Sequence, residues 1–223
     1  MKRRKAEMIK AAIFDVDGTL LDSLSAWQKL DEKYLENNGI KPEPGLSEKL
    51  SVMSMESGAS YLKKQYRLDK TEEEIVEEIL QMISDFYRFQ APLKPGVKET
   101  LNWLKHNEVR IVVATSGNEH LARAALERNG IGDFFERIYT CTEIGAGKEK
   151  PDIYLKAAEF LGSLPEETLV FEDAFHAAQT AKAAGFVVTG VYDESCRSNM
   201  QQMMEMCDYY VKRMDSCIEK IIL

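Results

Sequence analysis

The chain is predicted to be an α/β protein: a parallel sheet with helices on both faces, interrupted by an inserted all-helical domain. Three observations predict it. First, five short runs of mostly apolar, often β-branched residues read as strands covered on both faces: 9–14, 109–114, 137–141, 168–171 and 186–191. Second, helical patterns at 98–106, 119–128, 153–161 and 175–184 alternate with the later strands, as parallel pairing requires. Third, residues 24–91 carry no strand signal, and a connection of that length between two strands is a domain of its own.

Each element has a local reason. The helix at 98–106 places Leu101 and Leu104 at helical spacing. The next three run up to Gly130, Gly162 and Gly185, a residue suited to helix ends. A possible last strand at 209–211 is followed by a short helix. The insert reads as three or four amphipathic helices. One, at 24–36, carries Trp27, Leu30, Tyr34 and Leu35 on one side. Another, at 71–89, opens on the capping box Thr71-Glu72-Glu73-Glu74 and carries the stripe Ile75, Ile79, Met82, Ile83 and Phe86. Pro92, Pro95 and Gly96 mark the exit. The predicted domains are therefore 1–22 with 93–223, and 23–92.

Composition narrows the function. A formal charge of −8 disfavours non-specific binding to nucleic acid or anionic lipid, while leaving room for a local positive pocket. Cys141, Cys196, Cys207 and Cys217 form no CxxC pair and read as reduced thiols of a cytoplasmic protein. Met1 to Lys5 is basic like the start of a leader, but the apolar run 11–14 is too short for one. No stretch approaches the length of a membrane span. Oligomeric state is not legible, a monomer being one reading.

The chemistry gathers at strand ends. The first strand runs into Asp15-Val16-Asp17-Gly18-Thr19, two carboxylates two residues apart and then a turn-permitting glycine. Such a pair can hold a hard cation, and can divide between nucleophile and general acid–base. The second strand ends in Thr115-Ser116-Gly117-Asn118, a hydroxyl and amides leading into a helix, which suits an anion. The alternative there is that Thr115 or Ser116 merely caps the helix. The fourth ends in Glu172-Asp173, again with capping as the alternative. Lys148 and Lys150 lie in the loop before Pro151. In an open parallel sheet, ligands bind beyond the carboxyl ends of the strands, so Asp15, Thr115 and Asp173 are expected at one edge.

These four segments, in this order, resemble the haloacid dehalogenase-like superfamily, in the phosphatase and β-phosphoglucomutase-like branch with a helical cap. The resemblance covers nearly the whole chain and implies a Rossmann-like core. It implies that Asp15 attacks phosphorus and that Asp17 protonates the leaving group and then activates water. Thr115, Ser116 and Lys148 would bind the phosphoryl group. Mg2+ would be held by Asp15, the Asp17 backbone carbonyl, Asp173 and Glu172, the last directly or through water. The insert would close over the site and choose the substrate, a small phosphorylated metabolite, with Trp27, Met53, Met55, Gly117 and Asn118 as candidate specificity residues. Dehalogenases and phosphonatases of the family lack an aspartate at the position of Asp17, so phosphate-ester hydrolysis leads. A sugar phosphomutase of the β-phosphoglucomutase type and a non-catalytic binding protein are the alternatives. Two departures stand out: Ala177, where relatives often have glycine, and Lys150, where many have a neutral residue.

Overall fold

A computed structural model describes residues 9–50 and 55–221, without the side chains at 28, 47, 48 and 55–57. The chain divides into two compact units, residues 1–22 with 91–223, and residues 23–90.

The larger unit holds a six-stranded parallel sheet: β1 (Ala11–Phe14), β2 (Arg110–Thr115), β3 (Ile138–Thr140), β4 (Thr168–Glu172), β5 (Val187–Val191) and β6 (Tyr209–Val211). Their order is β3-β2-β1-β4-β5-β6, so β1 lies between β2 and β4. Phe14 is level with Val113 on one side and Phe171 on the other. Every residue of β1 and β4 is buried, as helices on both faces of a parallel sheet require. Ile13, Val112 and Val170 pack into one cluster with Tyr154, Ala157, Ala178 and Met203, while the alternate residues Phe14 and Phe171 stack on the other face at 4.2 Å.

The helices of this unit that matter to the site are few. The helix Glu119–Arg128 follows β2, a short turn of helix Cys141–Ile144 follows β3, and the helices Asp152–Leu161 and Phe175–Ala183 flank β4. Ala177 is fully buried in the last of these, consistent with a packing role. Three strands are shorter than the sequence suggests, β5 by one residue, since it begins at Val187 rather than at position 186. Residues 9 and 10 precede β1, although Lys10 still donates its amide to Glu167. Cys141 leaves β3 for a helix because the Thr140 hydroxyl accepts from the Glu143 amide and starts the turn.

The smaller unit contains four helices among the described residues: Leu24–Asn37, Leu46–Leu50, Met55–Tyr66 and Glu72–Phe89. The capping box at Thr71 and Glu74 is present in both directions. Its helix buries Ile75, Ile79 and Ile83, with Tyr87 rather than Phe86 completing the buried stripe. The indole N–H of Trp27 donates to the Tyr87 hydroxyl at 2.9 Å within this unit. The exit falls at Gln90, two residues before the position read from Pro92. Ala91 already belongs with the larger unit, its carbonyl accepting from Arg128 and Asn129.

The returning chain is fixed by a buried ion pair. Lys94 donates to Asp193 Oδ2 at 2.7 Å, both side chains being under a tenth exposed. Asp193 Oδ1 accepts from the Ser195 amide and so starts the turn that carries Cys196. Burial would raise the Asp193 carboxyl, but the Lys94 ammonium and the Ser195 amide outweigh it and hold it below the usual carboxylate range. Asp193→Ala should cost about 3–5 kcal/mol in urea unfolding at neutral pH, because it leaves the Lys94 charge buried and unpaired. With a lowered folded-state value, the pair's contribution is full above about pH 4 and is lost as pH falls. The gap between the two proteins should therefore narrow in acid, and a gap constant from about pH 7 to about pH 3 would contradict this account.

Candidate active site

The parallel register places the chemistry. Asp15 and Glu172 are one residue past, or level with, the paired ends of β1 and β4, on the same face of the sheet. The Asp15 amide donates to the Phe171 carbonyl at 3.1 Å, which prolongs the pairing by one residue. Beyond it the chain turns sharply. The Val16 carbonyl accepts from the amides of Leu20 and Leu21, and Gly18 sits at φ 85°, a conformation that disfavours any side chain. That turn aims the Thr19 hydroxyl at Asp173 Oδ1, 3.2 Å away.

Asp15, Glu172 and Asp173 are all buried, and each offers an oxygen within 4.8 Å of the others. Lys148 is buried with them and donates to both Asp15 Oδ1 and Glu172 Oε1. Burial pushes the Glu172 carboxyl well above its ordinary range; Lys148 opposes this, and Asp15 and Asp173 add to it. Burial and then Asp15 raise Asp173 in the same way, against Lys148. Burial disfavours the Lys148 ammonium, but Asp15 and Glu172 more than restore it and hold it above the usual lysine range. Lys150, by contrast, is exposed. Neighbouring lysines in one loop are thus separated by their surroundings.

The strand-two loop resolves the capping question. Asn118, not Thr115 or Ser116, caps the following helix: its Oδ1 accepts from the amides of His120 and Leu121 at 2.9 and 3.3 Å. Asn118 is therefore placed as a helix cap. The Thr115 hydroxyl, almost fully buried, accepts from the Gly117 amide at 2.9 Å, which directs its own proton elsewhere for donation. A Cβ on Gly117 would lie 3.3 Å from Thr115 Oγ1 and 3.4 Å from Asp17 Oδ2, so this glycine lies against both groups. Ser116 is exposed, its Oγ 3.4 Å from Cys141 Sγ. Glu172 and Asp173 are not caps either, since the helix after them has no side-chain cap.

Met53 lies outside the described residues, and Met55 opens a helix without a described side chain. Trp27 is half-buried in the smaller unit, bonded to Tyr87. Two residues of this region escaped the sequence reading. Tyr154 donates to Glu172 Oε1 at 2.7 Å, and Cys196 donates to Asp173 Oδ2 at 3.4 Å. Neither has a spacing signal, because each reaches the site from a separate element. All four cysteines are free thiols.

Three converging carboxylates form an all-oxygen donor set that fits a hard divalent cation. The arrangement also offers a carboxylate at a strand end, a lysine in contact with it and an orienting hydroxyl at the next strand.

The family model of haloacid dehalogenase-like hydrolases matches residues 9–185. Hexitol phosphatase A of Escherichia coli is 30% identical over 184 residues, 82% of each chain. The phosphorylated carbohydrates phosphatase of Thermotoga maritima is 27% identical over 190 residues, 79% of this chain and 82% of that one. Among solved structures, β-phosphoglucomutase from Clostridium difficile shares the fold at a TM-score of 0.70 and 21% identity, over 94% of this chain and 93% of that one. The protein CbbY from Rhodobacter sphaeroides, solved with xylulose 1,5-bisphosphate, does so at a TM-score of 0.78 and 19% identity, over 97% and 100%. The chain is thus a hydrolase on a Rossmann-like fold, and it belongs to the haloacid dehalogenase-like family.

Titration calorimetry should detect a divalent cation bound by the unaltered chain and by Lys150→Ala. Asp173→Ala should lose it, since one of three clustered donors is gone. Undiminished affinity in Asp173→Ala would place the cation elsewhere.

Proposed function

We propose that this chain is a Mg2+-dependent phosphatase that hydrolyses a small phosphorylated metabolite through an aspartyl-phosphate intermediate, an acyl phosphate on Asp15. The observation that carries the reading is the contact of buried Lys148 with Asp15 and Glu172 beside Asp173. A carboxylate nucleophile and an anionic phosphoryl group repel, and a fixed cation at the nucleophile offsets that repulsion. The match to phosphatases over some four-fifths of the chain supports the same reading.

In this mechanism an Asp15 oxygen attacks phosphorus as the ester P–O bond breaks. Asp17 gives its proton to the departing alkoxide, and the phosphoryl group is left on Asp15. Asp17 then takes a proton from water, the water oxygen bonds to phosphorus, and the Asp15–phosphorus bond breaks. Inorganic phosphate leaves and Asp15 is restored. Lys148 and the Thr115 hydroxyl hold the phosphoryl oxygens, with Ser116 at the same loop. Asp15, Glu172, Asp173 and the Asp17 carbonyl would hold Mg2+, which supplies charge neutralisation for the phosphoryl group.

Hydrolysis is favoured over phosphoryl exchange between sugar hydroxyls. A mutase must grip a second phosphate, ideally with arginine. The segment where that arginine is expected reads Ser51-Val52-Met53-Ser54-Met55-Glu56-Ser57, without Arg or Lys. Trp27 stands where the phosphomutases are expected to carry a histidine. Of the neighbouring lysines 49, 63 and 64, Lys49 is already engaged by Glu43 and the Tyr61 hydroxyl.

Chelation should abolish hydrolysis of phosphate esters, and added Mg2+ should restore it; full activity after exhaustive chelation contradicts the mechanism. Asp15→Asn should eliminate turnover with the fold intact, and Asp17→Asn should lose most of it. Rapid quench with a labelled substrate should find phosphate on Asp15, and label on another residue would overturn the assignment. Lys148→Ala should cost on the order of a hundredfold in kcat/KM, as removal of a transition-state donor does, while Lys150→Ala stays near the unaltered value. Equal losses would mean that the wrong lysine has been chosen. With β-glucose 1-phosphate and a trace of the bisphosphate, inorganic phosphate should form faster than glucose 6-phosphate, and the reverse order would favour the mutase.

A further inference from the structure

Tyr154 has no part in that chemistry, yet it touches the site twice. It lies on the helix Asp152–Leu161, is fully buried, and packs against Phe186 at 6.1 Å between ring centroids. Its hydroxyl donates to Glu172 Oε1 at 2.7 Å, the same oxygen that accepts from Lys148. Its ring centroid is 5.9 Å from Lys148 Nζ, within reach of a cation–π attraction. We propose that Tyr154 is a positioning residue that holds Lys148 where it meets Asp15 and the phosphoryl group; the inference rests on the phosphatase reading and deepens it.

The physical need is specific. A lysine ammonium is a point charge on a flexible stem with three rotatable donors. Here it lies between two buried acids, and without a further constraint it can settle towards either. Glu172 Oε1 has limited acceptor capacity, and a neutral donor occupies part of it. The tyrosine hydroxyl therefore fixes the rotation of the Glu172 carboxylate and moderates its hold on Lys148. The ring beneath the ammonium adds an attraction that does not compete for the N–H donors. Phe at position 154 would preserve the packing and the ring while deleting the hydroxyl, so the two contributions are separable.

The rival account is that Tyr154 only satisfies a buried carboxylate. That account predicts a lower melting temperature for Tyr154→Phe and no change in anion binding. Calorimetric titration of the Mg2+-loaded full chain with inorganic phosphate distinguishes the two. Tyr154→Phe should bind phosphate on the order of tenfold more weakly, the size typical of losing an outer hydrogen-bond partner. Placed in Lys148→Ala, the same change should alter phosphate affinity by less than about twofold, because the hydroxyl acts through the lysine. Tyr154→Met, which removes hydroxyl and ring but keeps most of the volume, should bind more weakly than Tyr154→Phe and keeps the test open should the latter not fold. Phosphate affinity in these variants equal to that of the unaltered chain overturns the proposal, as does an undiminished effect of Tyr154→Phe in the Lys148→Ala background. Hydrolysis of p-nitrophenyl phosphate by the unaltered chain is measured alongside: its failure tells against the phosphatase reading, whereas an unchanged phosphate affinity in the variants tells against the role of Tyr154 alone.

Discussion

Three carboxylates buried within 4.8 Å of one another repel strongly, and the architecture around β1 and β4 is organised to withstand that repulsion. At an effective dielectric of about 20, each pair at such a distance repels by about 3–4 kcal/mol. Summed over three pairs, this rivals the whole stability of a typical domain, about 5–15 kcal/mol. Protons, a lysine or a bound cation must offset it. Lys148 supplies one positive charge against two of the carboxylates, and Glu172 and Asp173 are still displaced upward, first by burial and then by their acidic neighbours. A divalent cation on these oxygens would offset the remaining repulsion.

Neutral donors complete the frame. Thr19 and Cys196 take opposite oxygens of Asp173, and Tyr154 shares an oxygen of Glu172 with Lys148. Each comes from a different part of the chain: the turn after β1, the turn after β5, and the helix before β4. The Lys94–Asp193 pair in turn sets the start of the turn that carries Cys196. A buried ion pair with no chemistry of its own is thereby linked to the geometry of the site, through a few covalent bonds and one thiol.

The same economy governs the loop after β2. Asn118 takes over the capping of the helix, which releases Thr115 from that duty. The Gly117 amide then occupies a lone pair of the Thr115 hydroxyl, whose own proton is left for another acceptor. A Cβ at position 117 would press on the Thr115 hydroxyl and reach ordinary contact with Asp17, so a glycine suits a loop packed this closely.

Much of this was legible in the sequence, and the reason is locality. Strands buried on both faces announce themselves as apolar runs, and Asp15-Val16-Asp17-Gly18-Thr19 stands out because carboxylates directly after such a run have no other easy explanation. The Thr71 capping box is likewise written within four residues. What the sequence left open depended on contacts between distant segments. The family resemblance ranks Lys148 above Lys150, and burial separates them physically, since one folds inward onto Asp15, 133 residues away, while the other faces solvent. Tyr154 looks like any aromatic on an apolar helix face, and Cys196 like a solitary thiol in a polar turn. Their hydrogen bonds to Glu172 and Asp173 arise from the strand order β2-β1-β4-β5, which brings the ends of four separate segments to one edge. Local pattern thus determined the strands, the helices and the reactive carboxylates, while the tertiary structure alone decided which donors hold them, because those partners meet only when the sheet closes.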